Sequence, residues 1–251
     1  MRKIACYVQK GGVGKTTCSG NIGYALSQKG LKTLLLDCDP QGNLTTWFVK
    51  EGAEVKHELV DVLSGKVQLK DAISTITDKL SLLSTFSIGG ELKNWSETRL
   101  IQNPDAFKFL FQDLADMGYD VIIADLSPGL SLLERSIILC LDEIITPFRP
   151  ELFGLDGLST FRESLAEINK INRKNIQHRA IIINDLDVRK KNHVQYFEAF
   201  KNIPDYKIFS IGTDTSLSEA QNAHKSIQEY YSLSRSVTHF EEIAQFLYPI
   251  A

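Results

Sequence analysis

The feature that most constrains this chain is the glycine-rich segment QKGGVGKTT at residues 9–17, which lies between a short apolar run and a helical pattern. Glycines let a loop turn its backbone amides inward, and a helix that begins directly after the loop adds the positive end of its dipole. Such a loop between a strand and a helix is typical of phosphate binding. In this arrangement Lys15 reaches the outer phosphates of a nucleotide, and the Thr16 hydroxyl ligates Mg²⁺. The sequence therefore predicts a site for the phosphates of a nucleotide and for Mg²⁺.

Short apolar runs alternate with amphipathic stretches along the chain, which predicts strands alternating with helices. Several runs are apolar throughout, as is typical of strands that are covered on both faces. We therefore expect an α/β P-loop NTPase fold: a mostly parallel twisted sheet of about seven strands with helices on both faces, forming one domain over residues 1–251. Residues 50–103 give only a weak strand signal. The predicted strands are Ile4–Val8, Thr33–Asp37, Leu80–Ser84, Val121–Asp125, Glu143–Pro147, Ala180–Asn184 and Lys207–Ile211, and the predicted helices are Lys15–Lys29, Pro104–Met117, Leu130–Leu141, Leu155–Asn172 and Val188–Lys201.

Charge and cysteine usage exclude several classes of protein. The formal net charge of −3 gives no strong overall attraction to nucleic acid, so any DNA binding must come from a local basic patch. No pair of the four cysteines has C-x-x-C spacing, and we expect free thiols rather than a metal site. The apolar segment after Met1-Arg2-Lys3 is too short for the hydrophobic region of a secretory signal, and no apolar run approaches the length of a membrane span. We expect a cytoplasmic protein.

Two predicted strands end in aspartates. The second strand leads into DCDPQGN at residues 37–43, and the fourth leads into DLSP at residues 125–128. Because the carboxyl ends of parallel strands meet at one edge of a sheet, Asp37, Asp39 and Asp125 are predicted to lie beside the phosphate loop. Asp-Pro and Gly-Asn are also good turn and helix-cap chemistry, so for Asp37 a structural role stays as open as a functional one.

The loop departs from the usual phosphate-loop pattern, because Gln9 stands at its first glycine position and Lys10 directly precedes Gly11. Together with DCDPQGN and the aspartate at 125, this segment resembles the deviant Walker A motif of the ParA/MinD family of P-loop ATPases, most closely that of the short, Soj-like ParA proteins. The resemblance extends from the start of the chain to about residue 160 and returns near Leu217–Ala220.

The resemblance implies that the nucleotide is ATP, and it implies roles for these residues. Lys10 would reach across a nucleotide sandwich dimer to the phosphates of the partner, while Lys15 would act within its own subunit. Asp39 would orient the attacking water and hold Mg²⁺ through a water molecule, and Asp125 would act in the Walker-B manner. The segments 141–147 and 151–158 would contribute to the fold and the dimer surface. The predicted nucleotide-binding residues of the loop are Lys10, Gly11, Gly12, Val13, Gly14, Lys15, Thr16 and Thr17, with Thr16, Asp39 and Asp125 serving the metal.

Other parts of the chain depart from the family pattern. Thr213 and Ser216 occupy positions at which chromosomal ParA proteins carry DNA-binding arginines, and Ser127 replaces a proline. The resemblance implies that the backbone of Gly212 and Asp214 can still contact the adenine, and it makes Asn184 a further candidate for contacting the base. The predicted DNA-binding cluster is Arg189, Lys190 and Lys191, although charge clusters are often solvated surface only.

The resulting function hypothesis is a ParA-type ATPase that dimerises around ATP, binds nonspecific DNA and partitions plasmid or chromosomal DNA with a ParB-like activator. It would associate with the nucleoid in its ATP-bound form. The alternatives are a related ATPase that positions a protein cargo, a P-loop small-molecule ligase, and a nucleotide-binding scaffold with little turnover. A membrane-directed relative of the MinD kind would need a basic amphipathic tail, whereas the polar side of the tail at 238–248 is acidic.

Overall fold

The computed structural model describes residues 1–49, 55–86, 90–151, 154–204 and 206–249. Leu152 and Phe153, which belong to the predicted dimer surface, lie outside the described residues. The strands are β1 Arg2–Cys6, β2 Thr33–Asp37, β3 Ile73–Thr77, β4 Leu80–Leu83, β5 Val121–Asp125, β6 Glu143–Phe148, β7 Gln177–Leu186 and β8 Lys207–Gly212. The helices are α1 Lys15–Gln28, α2 Asn43–Phe48, α3 Leu59–Leu63, α4 Leu69–Ala72, α5 Glu91–Thr98, α6 Ala106–Asp116, α7 Leu132–Ile138, α8 Gly154–Asn172, α9 Lys191–Lys201, α10 Ser216–Asn222, α11 Ile227–Tyr230 and α12 Arg235–Leu247.

The strands form one sheet in the order β3-β4-β2-β5-β1-β6-β7-β8. All neighbouring pairs are parallel except β3 and β4. The register places Asp37 of β2 beside Asp125 of β5, and Asp125 beside Cys6 at the end of β1. The glycine loop after β1 and both aspartates therefore meet at the carboxyl edge of the sheet, as the sequence predicts.

Helices cover both faces of the sheet, and the side chains of β1 show how. Ile4 packs in a cluster with Ile22 of α1 and Phe240 of α12, whereas its neighbour Ala5 belongs to a second cluster with Phe107 of α6. Side chains alternate between the two faces of a strand, and both faces of this strand are buried. Burial on both faces explains why the central strands are apolar without alternation.

The prediction of about seven strands was one too few for the described residues, because β3 lay in the weak segment 50–103. This strand reads ISTIT, pairs only with β4 and runs antiparallel to it. All five of its side chains are at least partly exposed. An edge strand with one neighbour needs no continuous apolar run, so its sequence lacks the signal that identified the central strands. The predicted β1 was also shifted by two residues toward the loop.

Gly20 of α1 offers a test of the packing that places the phosphate-loop helix. A Cβ at this position would overlap the Trp47 ring and lie 2.8 Å from the Phe48 ring. Trp47 cannot move aside easily, because it is buried and its indole N–H donates to the Lys225 carbonyl at 2.8 Å. We expect Gly20→Ala to lower the free energy of unfolding by about 1–3 kcal/mol in urea titrations.

Gly157→Ala is the matched control, because Gly157 is also helical and its added Cβ would meet only the Phe148 ring at 3.4 Å. We expect this variant to be as stable as the parent or more stable by up to about 1 kcal/mol, since alanine favours a helix over glycine. Equal losses of stability in the two variants would show that the contact with Trp47 is not the cause.

Candidate nucleotide-binding site

Two glycines give the loop a backbone conformation that other residues rarely adopt. Gly12 and Gly14 have φ values of 70° and 96°, in the left-handed region that favours glycine. A Cβ at Gly14 would also overlap the side-chain amide of Asn184, whereas a Cβ at Gly11 or Gly12 would meet nothing within 4 Å. The loop is therefore packed against Asn184 on one side and open on the side of Gly11 and Gly12, where a phosphate would lie.

Lys15, the first residue of α1, turns its side chain back over the loop. Its Nζ donates to the carbonyl of Lys10 at 2.8 Å, and the residue is only 7% exposed. Burial lowers the pKa of Lys15, while the neighbouring carboxylates of Asp125 and Asp39 act in the opposite direction. The structure thus brings together the lysine and the two aspartates that the sequence singled out.

Asp125 ends β5 beneath the loop and is 1% exposed. Its Oδ1 accepts a hydrogen bond of 3.0 Å from the Ser19 hydroxyl, and its Oδ2 has no hydrogen-bond partner among the described residues. Burial raises the pKa of this carboxyl to about 7, although the hydroxyls of Thr16 and Ser19 act against the shift. An unsatisfied buried carboxylate oxygen beside Thr16 fits a hydrated Mg²⁺, which prefers oxygen ligands and retains several waters.

Asp37 ends β2 and Asp39 follows it closely, but the two carboxyl groups have different surroundings. Asp39 is 7% exposed, and its Oδ1 accepts from the backbone amide of Gln41 at 2.9 Å. Burial raises the pKa of Asp39, and the Gln41 amide and Lys15 oppose this. Asp37 is fully buried and accepts from the amide and the hydroxyl of Thr45 at 2.8 and 2.7 Å. Asp37 therefore holds the start of α2, and the structural role that the sequence left open is the one its contacts support.

Lys10 lies at the rim of the site. Its Nζ donates to Oε2 of Glu151 at 2.9 Å, and the two side chains are 29% and 48% exposed. Its carbonyl accepts from Lys15, so the same residue contributes to the loop itself. The Lys10 side chain is thus held by a carboxylate of its own chain, in a position that solvent can reach.

Asn184, a candidate for contacting the base, is turned toward the loop. Its amide nitrogen donates to the Val13 carbonyl at 3.0 Å, and the residue is 8% exposed. This contact and the close approach to Gly14 make Asn184 a support for the loop. Nothing in the sequence pattern indicated this, because the two segments are 171 positions apart.

Gly212 ends β8, and Asp214 follows it at the start of the segment that leads to α10. The Asp214 carboxylate accepts from the Ser216 amide at 3.0 Å and from the hydroxyls of Ser234 and Ser236 at 2.5 and 2.7 Å. Burial acts to raise the pKa of Asp214, but these donors outweigh it and lower the pKa. The Asp214 side chain thus joins the starts of α10 and α12, which leaves its backbone as the group available to a base.

The predicted DNA-binding cluster lies between β7 and α9, also beyond the carboxyl edge of the sheet. The Arg189 guanidinium pairs with Asp187 through contacts of 2.8 and 3.0 Å, while its side chain stays 84% exposed. Lys190 is the N-cap residue of α9, and Lys191 begins the helix. Asp187 offsets part of the positive charge of this cluster, and the cluster is accessible.

Three supporting residues were missed by the sequence reasoning. Ser19 satisfies Asp125, and Gln221 donates to the Thr17 hydroxyl at 3.0 Å. The third, Glu134, is 3% exposed and accepts from the Ser127 hydroxyl and from the Ser131 amide at 2.7 Å. The serine that replaces a family proline at 127 therefore ties its loop to α7. The S-x-x-E spacing at 131–134 is typical of a capping box, and this pattern could have identified Glu134 from the sequence.

The chain is similar to known proteins over most of its length. The model of a family described as an AAA domain matches residues 1–178. Protein BBD21 of Borreliella burgdorferi, itself uncharacterised, is 36% identical over 98% of this chain and 99% of its own length. The sporulation initiation inhibitor protein Soj of Bacillus subtilis is 31% identical over 96% of each chain.

Solved structures share the fold. MinD of Pyrococcus horikoshii, crystallised with Mg-ADP, superposes with a TM-score of 0.80 at 25% identity over 99% of this chain and 96% of its own. An ATP complex of a McdA variant from Cyanothece gives a TM-score of 0.84 at 23% identity over 98% and 96%. Within the described ranges, no helix combines the length and the apolar character needed to cross a membrane. The matched family, the Soj relative and the shared fold lead to one conclusion: the chain belongs to the ParA/MinD-type family of P-loop ATPases.

Proposed function

We propose that this protein is a Mg²⁺-dependent ATP hydrolase of the ParA type, with residues 1–251 acting as one unit. It dimerises around ATP, binds DNA without sequence preference, and partitions plasmid or chromosomal DNA with a ParB-like protein that stimulates hydrolysis. The observation that carries the proposal is the convergence of Lys15, Asp39 and Asp125 beneath an open glycine loop, with Lys10 at its exposed rim.

The chemistry of phosphoryl transfer suits these residues, because it depends mainly on positioning and charge stabilisation. The loop amides and Lys15 would bind the phosphates, with Lys15 exchanging its contact to the Lys10 carbonyl for the nucleotide. Thr16 and Asp125 would hold Mg²⁺, which neutralises phosphate charge when bound. Asp39 would position the attacking water, because its buried carboxylate lies close to Lys15, the residue that would bind the phosphates.

The trans role of Lys10 requires that its ion pair with Glu151 be exchanged for a phosphate of the partner subunit. The pair is solvent-accessible on both sides, and exposed pairs contribute only about 0–1 kcal/mol. A triphosphate carries more charge than a single carboxylate and can therefore displace Glu151 at little cost. The rim position of Lys10 supports this exchange.

The partitioning role draws on the relationship to the chromosome-partitioning ATPase Soj of Treponema pallidum, 28% identical over 98% of this chain, and on the accessible cluster at Arg189, Lys190 and Lys191. One such cluster would bind DNA only weakly, since Asp187 offsets part of its positive charge. Two copies in a dimer would add their phosphate contacts, and the affinity for DNA would then depend on ATP. A related ATPase that positions a protein cargo would use the same nucleotide site. The partner protein would determine whether the cargo is DNA or a protein assembly.

Lys10→Ala tests the dimer. We expect the variant to bind ATP through Lys15 but to remain monomeric by light scattering with a non-hydrolysable ATP analogue, whereas the parent dimerises. Lys66→Ala is the control, because Lys66 is also an exposed lysine in an ion pair, with Asp61 at 3.1 Å. Dimerisation of Lys10→Ala to the extent of the parent would rule out the trans role.

Asp39→Ala tests hydrolysis. We expect ATP binding to persist while turnover falls by about 10²–10⁴-fold, the usual contribution of a residue that positions or activates the nucleophile. Steady-state phosphate release measures this, with Asp113→Ala on the exposed side of α6 as the control. Unchanged turnover would indicate a nucleotide-binding scaffold rather than an ATPase.

A gel shift with nonspecific duplex DNA, without nucleotide and with ADP or ATP, tests the DNA proposal. We expect retention only with ATP and a loss of affinity as salt rises, because released counterions drive the binding. Replacing Arg189, Lys190 and Lys191 by Ala should reduce the slope of log affinity against log salt by roughly 1 for each phosphate that is no longer neutralised. Replacing Lys70, Lys79 and Lys93 by Ala removes the same charge elsewhere and should have no such effect. Equal retention of the nucleotide-free and ATP-bound forms would contradict a gated DNA surface.

A further inference from the structure

A groove of about 860 Å³ lies at the edge of the sheet opposite to the phosphate loop. Its walls come from α6, α7 and α8, and Phe111 and Ile168, both buried, form part of its floor. Lys3 near the start of β1, Cys140 just before β6 and Lys174 just before β7 all line it, which places it at the amino ends of these strands. None of the residues assigned to nucleotide or metal lines this groove.

Apolar side chains lie exposed in the groove and beside it. Leu132 at the start of α7 lines the groove and is 42% exposed. Phe109, 53% exposed, lies one helical turn from Gln112 of the groove, and Ile171, 68% exposed, lies one helical turn from Ile168 of its floor. All three belong to the exposed large apolar residues of the described chain. Apolar surface that is grouped in this way and rimmed by polar residues is typical of a site that binds another molecule.

The rim of the groove is basic, although the chain as a whole has a net charge of −3. The charged residues that line it are four bases and one acid: Lys3, Lys108, Arg135, Lys174 and Asp105. Lys3 pairs with the nearby Asp142 at 3.1 Å, and Lys108 approaches Asp105 at 3.8 Å. Among the described residues, Arg135 and Lys174 form no ion pair. The groove therefore combines an apolar floor with a surplus of positive charge at its rim.

We propose that this groove docks an acidic amphipathic helix of a partner protein. The apolar stripe of such a helix would cover the floor and Leu132, and its flanking carboxylates would pair with Lys108, Arg135 and Lys174. A duplex DNA backbone fits less well, because apolar side chains offer nothing to phosphates. Since none of the residues assigned to nucleotide or metal lines the groove, a helix docked here leaves those residues free to meet a second subunit.

Fluorescence anisotropy with synthetic helical peptides tests the proposal on the full chain. One peptide of about 18 residues, or five turns, carries a leucine stripe flanked by glutamates, a second has lysine for every glutamate, and a third is the first in scrambled order. We expect the acidic helix to bind at least about tenfold more tightly than the other two, because only it complements both the floor and the rim.

Charge reversal identifies the site. Lys108→Glu with Lys174→Glu should weaken the acidic peptide at least about tenfold and improve binding of the basic one. Lys70→Glu with Lys79→Glu makes the same charge change near the β3–β4 edge and should leave both affinities as in the parent. Nucleotide affinity, measured on every variant, shows that each is folded. Leu132→Ser should also weaken binding of the acidic peptide, because the apolar stripe covers this side chain.

Cys140 gives a second readout without mutation. It is partly exposed in the groove, whereas the other three cysteines are buried, so a maleimide should modify it first. The acidic peptide should slow this modification several-fold, because it covers the thiol. Equal binding of the acidic and basic helices, insensitivity to the Lys108 and Lys174 reversal, or unchanged Cys140 modification would each overturn the proposal. Loss of DNA binding in that reversal, with no peptide bound to the parent, would identify a nucleic-acid surface instead.

Discussion

One buried ammonium among three buried carboxyl groups is the interaction on which the nucleotide site depends. Lys15 lies at the carboxyl edge of the sheet with Asp37, Asp39 and Asp125, and each of the four is at most 7% exposed. Burial lowers the pKa of the lysine and raises those of the three carboxyls. Asp37 is satisfied by Thr45, so Asp39 and Asp125 are the buried carboxyls that remain beside the single lysine. A buried carboxylate needs compensation for the water it has lost, and the proposed Mg²⁺ would supply it there.

The fold separates two kinds of surface. Parallel strands deliver the glycine loop and the aspartates to one edge, where the open side of the loop and the rim lysine face outward. The opposite edge carries no part of that site and instead presents an apolar groove with basic residues. If the protein dimerises around nucleotide as proposed, this groove would remain accessible to a partner, because it contains none of the residues assigned to nucleotide or metal.

Several contacts that support the site connect distant segments of the chain. Asn184 donates to the Val13 carbonyl, Gln221 donates to the Thr17 hydroxyl, and Lys10 pairs with Glu151. The Asp214 carboxylate joins the starts of α10 and α12 close to the predicted base-contacting backbone. Each of these groups is polar and would cost free energy if it were buried without a partner. The loop is therefore held in shape by side chains that the phosphate motif itself does not contain.

The sequence alone determined the α/β architecture and the glycine loop, because hydrophobic periodicity and loop composition are local patterns. It also determined that Asp39 and Asp125 lie close to Lys15, because the carboxyl ends of parallel strands meet at one edge of the sheet. It did not reveal β3, since an edge strand with half-exposed side chains lacks an apolar run. Only the tertiary structure decided that Asp37 accepts hydrogen bonds from Thr45 of α2, that Ser127 donates to Glu134, and that Lys10 pairs with Glu151. Those pairings, like the basic groove, depend on which residues of separate elements come into contact, and no local pattern encodes that.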